Sequence, residues 1–513
     1  MKPHLLYSDK DFNIKATLPW NAAIVTSDLE LQVLFDCMSA KDDLLAEVVQ
    51  KVILTSASNN VATILYRQAI LKDCISHREI VQEIFNLSIS AIESRKSSWL
   101  GIFTSHPTSV LSASVGMMRV YADYLRRLRA IADEHYSKFQ SEGFLQFMRI
   151  LQIELDDKYF DAINDNLDQL SLKGGTLSGV HLVEANKGAD YSLQRYEGKK
   201  RKWWHRFFPP KIEGYYFNIH PRDESGVRAL QQIEDEIVNR VGNALAQSND
   251  HILQFFTLLQ QELAFYLGCL NLYDRLKELR EPITFPMAVP PGSFAHYAKD
   301  LYDPCLALSM KKQVVSNDLN ADQRRLVIIT GANQGGKSTF LRSIGVAQFM
   351  MQSGMFVAAT EYSANIVNQV CTHFKKEEDH TMQSGKFDEE LSRMNDIANH
   401  ISAGSMVLFN ESFAATNERE GSEIAAQITT ALIEKGIKIF FVTHLYDFAL
   451  NFYEKELPES LFLRAGRLAD ASRGFKLTEA APLPTSYGPD LYKKIFADTV
   501  TVNTLLETVN GTK

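Results

Sequence analysis

Residues 331–338 read Gly331-Ala332-Asn333-Gln334-Gly335-Gly336-Lys337-Ser338, which fits the P-loop pattern G-x-x-x-x-G-K-[ST]. The apolar run Leu326-Val327-Ile328-Ile329 precedes the loop and predicts a buried strand. Apolar residues at helical spacing follow and predict a helix: Phe340, Leu341, Ile344, Ala347 and Met351. Glycines let backbone N–H groups point at phosphate oxygens, and the helix dipole adds positive potential there. The stretch therefore predicts a site for a nucleoside triphosphate.

We expect one continuous run of residues to bind the triphosphate: Gly331, Ala332, Asn333, Gln334, Gly335, Gly336, Lys337, Ser338 and Thr339. In such a loop Lys337 reaches the β- and γ-phosphates, and the Ser338 hydroxyl binds Mg²⁺. The alternative is a glycine-rich turn that carries a lysine and a serine without a ligand. The predicted strand before the loop and the predicted helix after it favour the nucleotide site.

The composition is that of a globular protein. The chain has 513 residues, of which 45% are hydrophobic and 23% are charged. No apolar run reaches the ~18 residues that a membrane span needs, and the N-terminus has no signal-peptide pattern. We therefore expect no membrane partner. The five cysteines form no C-x-x-C pair, which predicts reduced thiols in a cytoplasmic protein. A net charge of −8 argues against a chain that is basic throughout, although a local basic patch is compatible with it.

Hydrophobic periodicity divides the chain into a helical part and an α/β part. After an irregular lead-in over residues 1–27, helical patterns predict a mainly α-helical domain over residues 28–285. A turn-rich stretch at about 173–222 predicts a small β-containing insertion, with Gly179–Val183 as one of its strands. From residue 286 to 513, strands and helices alternate and predict an α/β P-loop domain with a mainly parallel sheet.

Two further apolar runs in the α/β part end in polar residues. Met406–Phe409 leads into Asn410-Glu411, and Ile437–Val442 leads into Thr443-His444. Open α/β sheets bind ligands at the carboxyl ends of their strands. We therefore interpret Glu411 as the general base that orients the attacking water, and His444 as a contact to the γ-phosphate. The alternatives are a solvated strand-end carboxylate and a structural histidine.

These motifs resemble those of the MutS family of DNA mismatch-repair ATPases. Residues 330–339 resemble the family's P-loop, and Asn333 matches an asparagine typical of it. Further motifs follow in the family's order: Asn317-Asp318, Asn410-Glu411, Thr416 through Gly421, Thr443-His444 and Ser486-Tyr487-Gly488. The resemblance implies an ABC-like ATPase that forms a homodimer and binds ATP and Mg²⁺. It also implies that the preceding helices form a lever and clamp core.

In that family each nucleotide lies between the P-loop of one subunit and a signature segment of the other. Ser384, Gly385, Phe387 and Glu390 resemble this segment, although Gly385-Lys386 stands where the family has Ser-Thr. Asn410 stands where the family has an aspartate, and its neutral amide would stabilise Mg²⁺ less well than a carboxylate. Phe413-Ala414-Ala415 replaces a Gly-Arg-Gly. With Ser338 and Asn410 as the metal contacts, we expect a slow ATPase.

The insertion contains a basic stretch interleaved with aromatic residues, from Lys199 to Lys211. Such a stretch suits phosphate contact combined with stacking, and we predict DNA contacts by Lys199, Lys200, Arg201, Lys202 and Arg206. The alternative is a solvated basic turn whose aromatic residues anchor it to its own small core. Because core-like helices begin near Asp28, we expect no mismatch-recognition domain ahead of them.

The leading interpretation is an ATP-dependent DNA-binding protein of repair or recombination. ATP binding and hydrolysis at composite dimer sites would drive a helical clamp on double-stranded or structured DNA. One alternative is an ATP-driven conformational switch that binds a protein partner without DNA. Another is a nucleotide-binding scaffold that does not hydrolyse.

Overall fold

The computed structural model describes residues 1–99, 107–171, 178–183, 187–193, 220, 222–332, 334–376, 385–466 and 474–483. Several residues singled out by the sequence lie outside these ranges: Lys199, Lys200, Arg201, Lys202, Arg206, Asn333, Ser384 and Ser486-Tyr487-Gly488. The chain forms two compact units. The first comprises residues 1–5, 9–12 and 76–263, and the second comprises residues 6–8, 13–75 and 264–513.

The described part of the chain is rich in helix. Its α-helices are α1 (Ala22–Asp28), α2 (Leu31–Ser39), α3 (Asp43–Leu54), α4 (Val61–Ser76), α5 (Arg78–Trp99), α6 (Pro107–His135), α7 (Glu142–Glu154), α8 (Asp157–Leu170), α9 (Glu224–Glu278), α10 (Pro304–Met310), α11 (Lys337–Gln352), α12 (Lys386–His400), α13 (Glu418–Glu434) and α14 (Tyr446–Glu454). Within the described ranges, no helix is long and apolar enough to cross a membrane. The longest of these helices, α9, lies within the region for which helical patterns predict a mainly α-helical domain.

The described strands belong to three sheets. They are β1 (Ser178–Val183), β2 (Lys187–Leu193), β3 (Met287–Val289), β4 (His296–Leu301), β5 (Asn317–Asn320), β6 (Leu326–Gly331), β7 (Glu361–Asn365), β8 (Val370–Phe374), β9 (Met406–Asn410), β10 (Lys438–Val442), β11 (Ser460–Ala465) and β12 (Leu477–Glu479). Strands β1 and β2 pair antiparallel, which confirms the strand predicted at Gly179–Val183.

In the first unit, short polar side chains cap the N-termini of helices whose apolar faces are buried. The Asp156 carboxylate accepts a hydrogen bond from the backbone N–H of Tyr159 at 2.8 Å and caps α8. Ser141 caps α7 in the same way, through the N–H of Phe144. Residues from three helices, α6, α8 and α9, form one buried cluster: Leu111, Val115, Met118, Leu167 and Val238.

The second unit contains a six-stranded sheet in the order β12-β11-β6-β10-β9-β8. Strands β8, β9, β10, β6 and β11 run parallel, and only β12, at the edge, is antiparallel. Almost every residue of these parallel strands is buried, as expected for a sheet covered on both faces. The predicted α/β domain with a mainly parallel sheet is therefore confirmed. A smaller mixed sheet, in the order β3-β7-β4-β5, belongs to the same unit.

Residues 13–75 also belong to this second unit, which differs from the predicted helical domain over residues 28–285. The lead-in predicted for residues 1–27 also contains the start of α1. These first helices pack on the α/β sheet. The Asn21 side chain donates to the carbonyl oxygen of Val370 on β8 at 2.8 Å, and Thr372 donates to the Asp28 carboxylate at 2.6 Å. Periodicity identifies a helix, but it does not identify the surface against which the helix packs.

Lys438, the first residue of β10, is a buried lysine with a side chain only 1% exposed. Its ammonium donates to the carbonyl oxygen of Ala295 at 3.0 Å and to Oδ1 of Asn365 at 3.1 Å. Burial lowers the pKa of Lys438 from 10.5 to about 7, and the Asp322 carboxylate opposes this shift only in part. Between these two pH values the unfolded chain binds more protons at this residue than the folded chain does. Stability therefore rises with pH across that window.

We predict that Lys438→Met removes this rise. In the native protein the lysine contributes a slope of up to about 1.4 kcal/mol per pH unit to the free energy of unfolding above pH 7. Denaturant unfolding at pH 7, 8 and 9 measures the slope. The control is Lys435→Met, which removes an exposed lysine nearby and is expected to keep the slope. Equal slopes in the wild type and Lys438→Met would contradict the interpretation.

Candidate functional site

The P-loop connects β6 to α11 and requires glycine at two positions. Gly331 and Gly336 have φ values of +113° and +89°, in the left-handed region that glycine adopts without strain. A Cβ atom on Gly331 would also lie 2.9 Å from the backbone nitrogen of Ala465 on β11. The loop is therefore packed closely against the neighbouring strand. The loop leads directly into the N-terminus of α11, where a phosphate would bind.

Lys337 lies at the start of α11 with its ammonium directed into the loop. Its Nζ donates to the carbonyl oxygens of Gly331 and Ala332, both at 2.9 Å. It also lies 3.4 Å from Nε2 of His444. The side chain is only 4% exposed, so its positive charge is held among a few polar groups. This is the position from which the lysine of a P-loop contacts phosphate oxygens.

Ser338 and Asn410 meet at the predicted magnesium position. The Ser338 hydroxyl donates to Oδ1 of Asn410, the last residue of β9, at 2.9 Å. Both groups present oxygen, the ligand type that Mg²⁺ prefers, and so the pair fits this ion. In the described part of the chain, no group of three or more His, Cys, Asp or Glu side chains could hold a metal. Mg²⁺ at this position would therefore take most of its ligands from phosphate and water.

Glu411 and His444 lie side by side at the same edge of the sheet. Oε1 of Glu411 is 2.9 Å from Nε2 of His444, and the backbone N–H of Glu411 donates to Val442 at 2.8 Å. The hydrogen bond from His444 lowers the pKa of Glu411, against the effect of burial, and the positive charge of Lys337 adds to the lowering. Glu411 is therefore ionised at neutral pH and can accept a hydrogen bond from water. The two side chains that the sequence predicts as catalytic are brought together.

Glu411 and residues 334–339 of the P-loop line a cavity of about 460 Å³, a size typical of small-molecule sites. These residues form the polar part of its lining. The apolar part includes side chains that the sequence motifs do not identify: Leu306, Met310, Val314, Val315 and Phe475. Three of them, Met310, Val315 and Phe475, are more than two-fifths exposed, which is unusual for large apolar residues. A cavity lined by polar loop residues and by apolar side chains suits a phosphate chain joined to a flat base.

Asn317 explains how Phe475 comes to lie beside the P-loop. Its side-chain amide donates to the carbonyl oxygen of Phe475 at 3.1 Å, and its Oδ1 accepts from the N–H of Leu477 at 2.7 Å. The backbone oxygen of Phe475 lies 3.4 Å from the position of a Cβ on Gly336. The motif residue Asn317 therefore positions one wall of the cavity. Its role depends on a partner about 160 residues along the chain, and no local pattern indicates that partner.

The described residues of the predicted signature segment lie at the start of α12. Gly385 precedes this helix and is exposed, whereas Phe387 packs against the apolar cluster of the α/β sheet. Glu390 is only 3% exposed. Contact of this segment with a partner subunit stays a prediction.

Comparison with known proteins links both parts of the chain to one family. A family model described as the MutS2 N-terminal domain matches residues 59–279, and one described as MutS domain V matches residues 327–490. The sequence motifs point to MutS in general. The match of the helical part to the MutS2 N-terminal domain is a finding that they did not predict.

Curated relatives agree with these matches. The DNA mismatch repair protein MutS of Leptospira interrogans is 25% identical over 342 residues, which cover 64% of this chain and 39% of the relative. The corresponding protein of Thermotoga petrophila is 34% identical over 146 residues, 28% of this chain and 18% of the relative. The endonuclease MutS2 of Ligilactobacillus salivarius is 26% identical over 258 residues, 47% of this chain and 32% of the relative. The chain thus spans less than half the length of the relatives it matches.

We predict that the polar and the apolar parts of the cavity lining contribute separately to nucleotide affinity. Phe475→Ala should weaken ATP binding about tenfold, because an aromatic face against a base is lost, and should leave the affinity for inorganic triphosphate unchanged. Lys337→Ala should weaken the binding of both ligands. Isothermal titration calorimetry measures the affinities. Tyr453→Ala, which removes an exposed aromatic residue outside the cavity, serves as the control. Wild-type ATP affinity in Phe475→Ala would exclude Phe475 as a contact to the base.

Proposed function

The chain belongs to the MutS family, and we propose that it binds ATP with Mg²⁺ and hydrolyses the ATP to ADP and phosphate. The observation that carries this proposal is the meeting of four polar side chains at one edge of the parallel sheet: Lys337, Ser338, Glu411 and His444. They provide a positive charge, a hydroxyl, an ionised carboxylate and an imidazole around one P-loop. These are the parts that phosphoryl transfer to water requires.

In the proposed reaction, Glu411 accepts a hydrogen bond from the attacking water and orients it toward the γ-phosphate. The hydrogen bond with His444 keeps the Glu411 carboxylate ionised and directed into the site. Lys337 exchanges the carbonyl oxygens of Gly331 and Ala332 for phosphate oxygens and stabilises the charge that develops on them. The chain therefore contributes positioning and electrostatic stabilisation, with no covalent intermediate.

Ser338 and Asn410 would hold Mg²⁺, which when bound neutralises charge on the β- and γ-phosphates. Asn410 contributes a neutral amide oxygen where the family pattern has a carboxylate. A neutral ligand binds the cation less strongly than a charged one, so we propose that turnover is slow and depends on high Mg²⁺.

We further propose that the chain works as a cytoplasmic homodimer on double-stranded or structured DNA, in repair or recombination. Nucleotide sandwiched between two copies would close the dimer, and the helical domain, as lever and clamp, would transmit the closure to DNA. Two observations support this part of the proposal. The relatives named above include DNA mismatch repair proteins, and Lys199–Lys211 combines basic with aromatic residues.

We predict that Glu411→Gln lowers kcat for ATP hydrolysis at least about 100-fold, because glutamine cannot orient the water as a carboxylate does. Its ATP affinity should stay within twofold of wild type, since the P-loop is unchanged. Steady-state turnover and equilibrium ATP binding measure the two quantities. Glu423→Gln, at an exposed position of α13, is the matched control. If Glu411→Gln and the wild type had equal turnover, Glu411 would not be the residue that orients the attacking water.

A charge-reversed variant tests the DNA part. Replacing Lys199, Lys200, Arg201 and Lys202 by glutamate should weaken duplex DNA binding at least about 100-fold at moderate salt and leave DNA-independent ATP hydrolysis unchanged. A control with the same change of charge is available at four exposed lysines: Lys10, Lys41, Lys158 and Lys435. Fluorescence anisotropy with labelled duplex and branched DNA gives the affinities. If both variants bind DNA as the wild type does, the basic stretch is not the DNA contact, and a protein partner gains support.

A further inference from the structure

Immediately after Glu411 the backbone passes through a strained turn. Glu411 and Phe413 have φ values of +55° and +62°, in the left-handed region that residues with side chains rarely adopt. Backbone strain of this kind persists only where surrounding groups hold it. Phe413 is completely buried, so the turn is held from inside the protein. The contacts of this turn therefore decide where the Glu411 carboxylate lies.

Ser412, between the two strained residues, contacts a buried histidine on β8. Its Oγ is 2.7 Å from Nδ1 of His373 and donates to the backbone oxygen of His373 at 2.5 Å. The imidazole also stacks on the Phe413 ring, with centroids 5.3 Å apart and planes 19° apart. Its other nitrogen, Nε2, lies 2.9 Å from the carbonyl oxygen of Glu390 on α12. One fully buried side chain thus connects the turn with α12.

The surroundings of His373 determine its charge and which ring nitrogen carries the proton. Burial lowers its pKa to about 4, and the nearby charges of Arg393 and Lys376 act in the same direction, so the ring is neutral at pH 7. A carbonyl oxygen can only accept, and so Nε2 carries the proton and donates to Glu390. Nδ1 is then an acceptor, and the Ser412 hydroxyl is shared between it and the His373 carbonyl oxygen. The two ring nitrogens are not interchangeable, and the ring is held in one orientation.

A second connection joins the same two elements. The Glu390 carboxyl is buried, which raises its pKa, while a hydrogen bond from the backbone of Phe413 opposes the rise. Glu390 is therefore connected to the turn in two ways. Its carboxyl contacts the backbone of Phe413, and its backbone oxygen contacts His373, which in turn contacts Ser412. Helix α12 begins at Lys386, within the predicted signature segment, and Glu390 belongs to both.

We infer that His373 is a positioning residue for Glu411: with Ser412, it holds the strained turn against α12 and so keeps the catalytic carboxylate in its water-orienting place. The inference rests on the proposed function, because it takes Glu411 as the base. It also gives α12 a role within its own subunit. A shift of this helix, as on contact with a partner's nucleotide, would be transmitted through His373 to Glu411.

Two substitutions test the connection without touching the P-loop. Ser412→Ala removes the shared hydroxyl, and His373→Phe keeps a ring against Phe413 but removes both nitrogens. Each should lower kcat about tenfold and leave KM and ATP affinity within twofold of wild type, because a misplaced base slows chemistry without weakening binding. The control is Thr429→Val, which removes the hydroxyl of a fully buried residue elsewhere in the unit while preserving its shape.

Hydrogen–deuterium exchange of peptides covering residues 411–415, in nucleotide-free protein, provides a measurement independent of activity. We expect about tenfold faster exchange in both variants and none of this change in Thr429→Val. The inference would be overturned if both variants kept the kcat and the exchange rate of the wild type. It would also be overturned if kcat and ATP affinity fell in parallel. If the wild type itself does not hydrolyse ATP, the proposed function fails, and the exchange result alone decides whether His373 holds the turn.

Discussion

The parallel register of β6, β10 and β9 is the constraint on which the candidate site depends. Val442 on β10 pairs with Asn410 on β9, so these two strands end at the same level, and Val442 also pairs with Ile329 on β6, which runs on to Gly331 at the start of the P-loop. The P-loop, Glu411 and His444 follow these ends and must meet at one edge of the sheet. A slip of one residue in any pairing would turn its side chains to the opposite face and separate the groups. The apolar interior that fixes the register therefore also determines the geometry of the site.

The sequence predicts those features that depend on residues close together along the chain. The apolar runs of β6, β9 and β10 are continuous because these strands are buried on both faces. Parallel sheets bind ligands at the carboxyl ends of their strands, and this rule alone places the polar residues that follow the three runs at one edge of the sheet. The rule predicted that Glu411 and His444 follow strands of the same sheet, and the structure adds that their side chains are in contact, 2.9 Å apart.

Other features could not be predicted, because they depend on partners distant in sequence. The packing of residues 13–75 on the α/β sheet depends on contacts such as that of Asn21 with Val370. The place of Phe475 in the cavity lining depends on its hydrogen bond with Asn317. Lys438 and His373 carry polar side chains within apolar strands, and their roles become visible only from the acceptors around them. The sequence also could not indicate that Glu390 would be buried against its own subunit's turn.

The site combines strict positioning with a weak cation contact. Glu411 has a strained backbone, an ionised carboxylate and a histidine partner, all of which favour accurate placement of water. Asn410, one residue earlier, carries a neutral amide at the proposed Mg²⁺ position. Together these features support the proposal that ATP hydrolysis is slow.

The most direct measurement is steady-state ATP hydrolysis by the purified wild-type chain at saturating ATP and Mg²⁺, without DNA and with homoduplex, mismatched and branched DNA. We expect slow hydrolysis that one or more of these DNAs stimulates or suppresses, and the ranking of the DNAs would identify the preferred structure. Hydrolysis no faster than that of Glu411→Gln would contradict the assigned chemistry. Hydrolysis indifferent to every DNA would contradict the link between the nucleotide site and a DNA clamp.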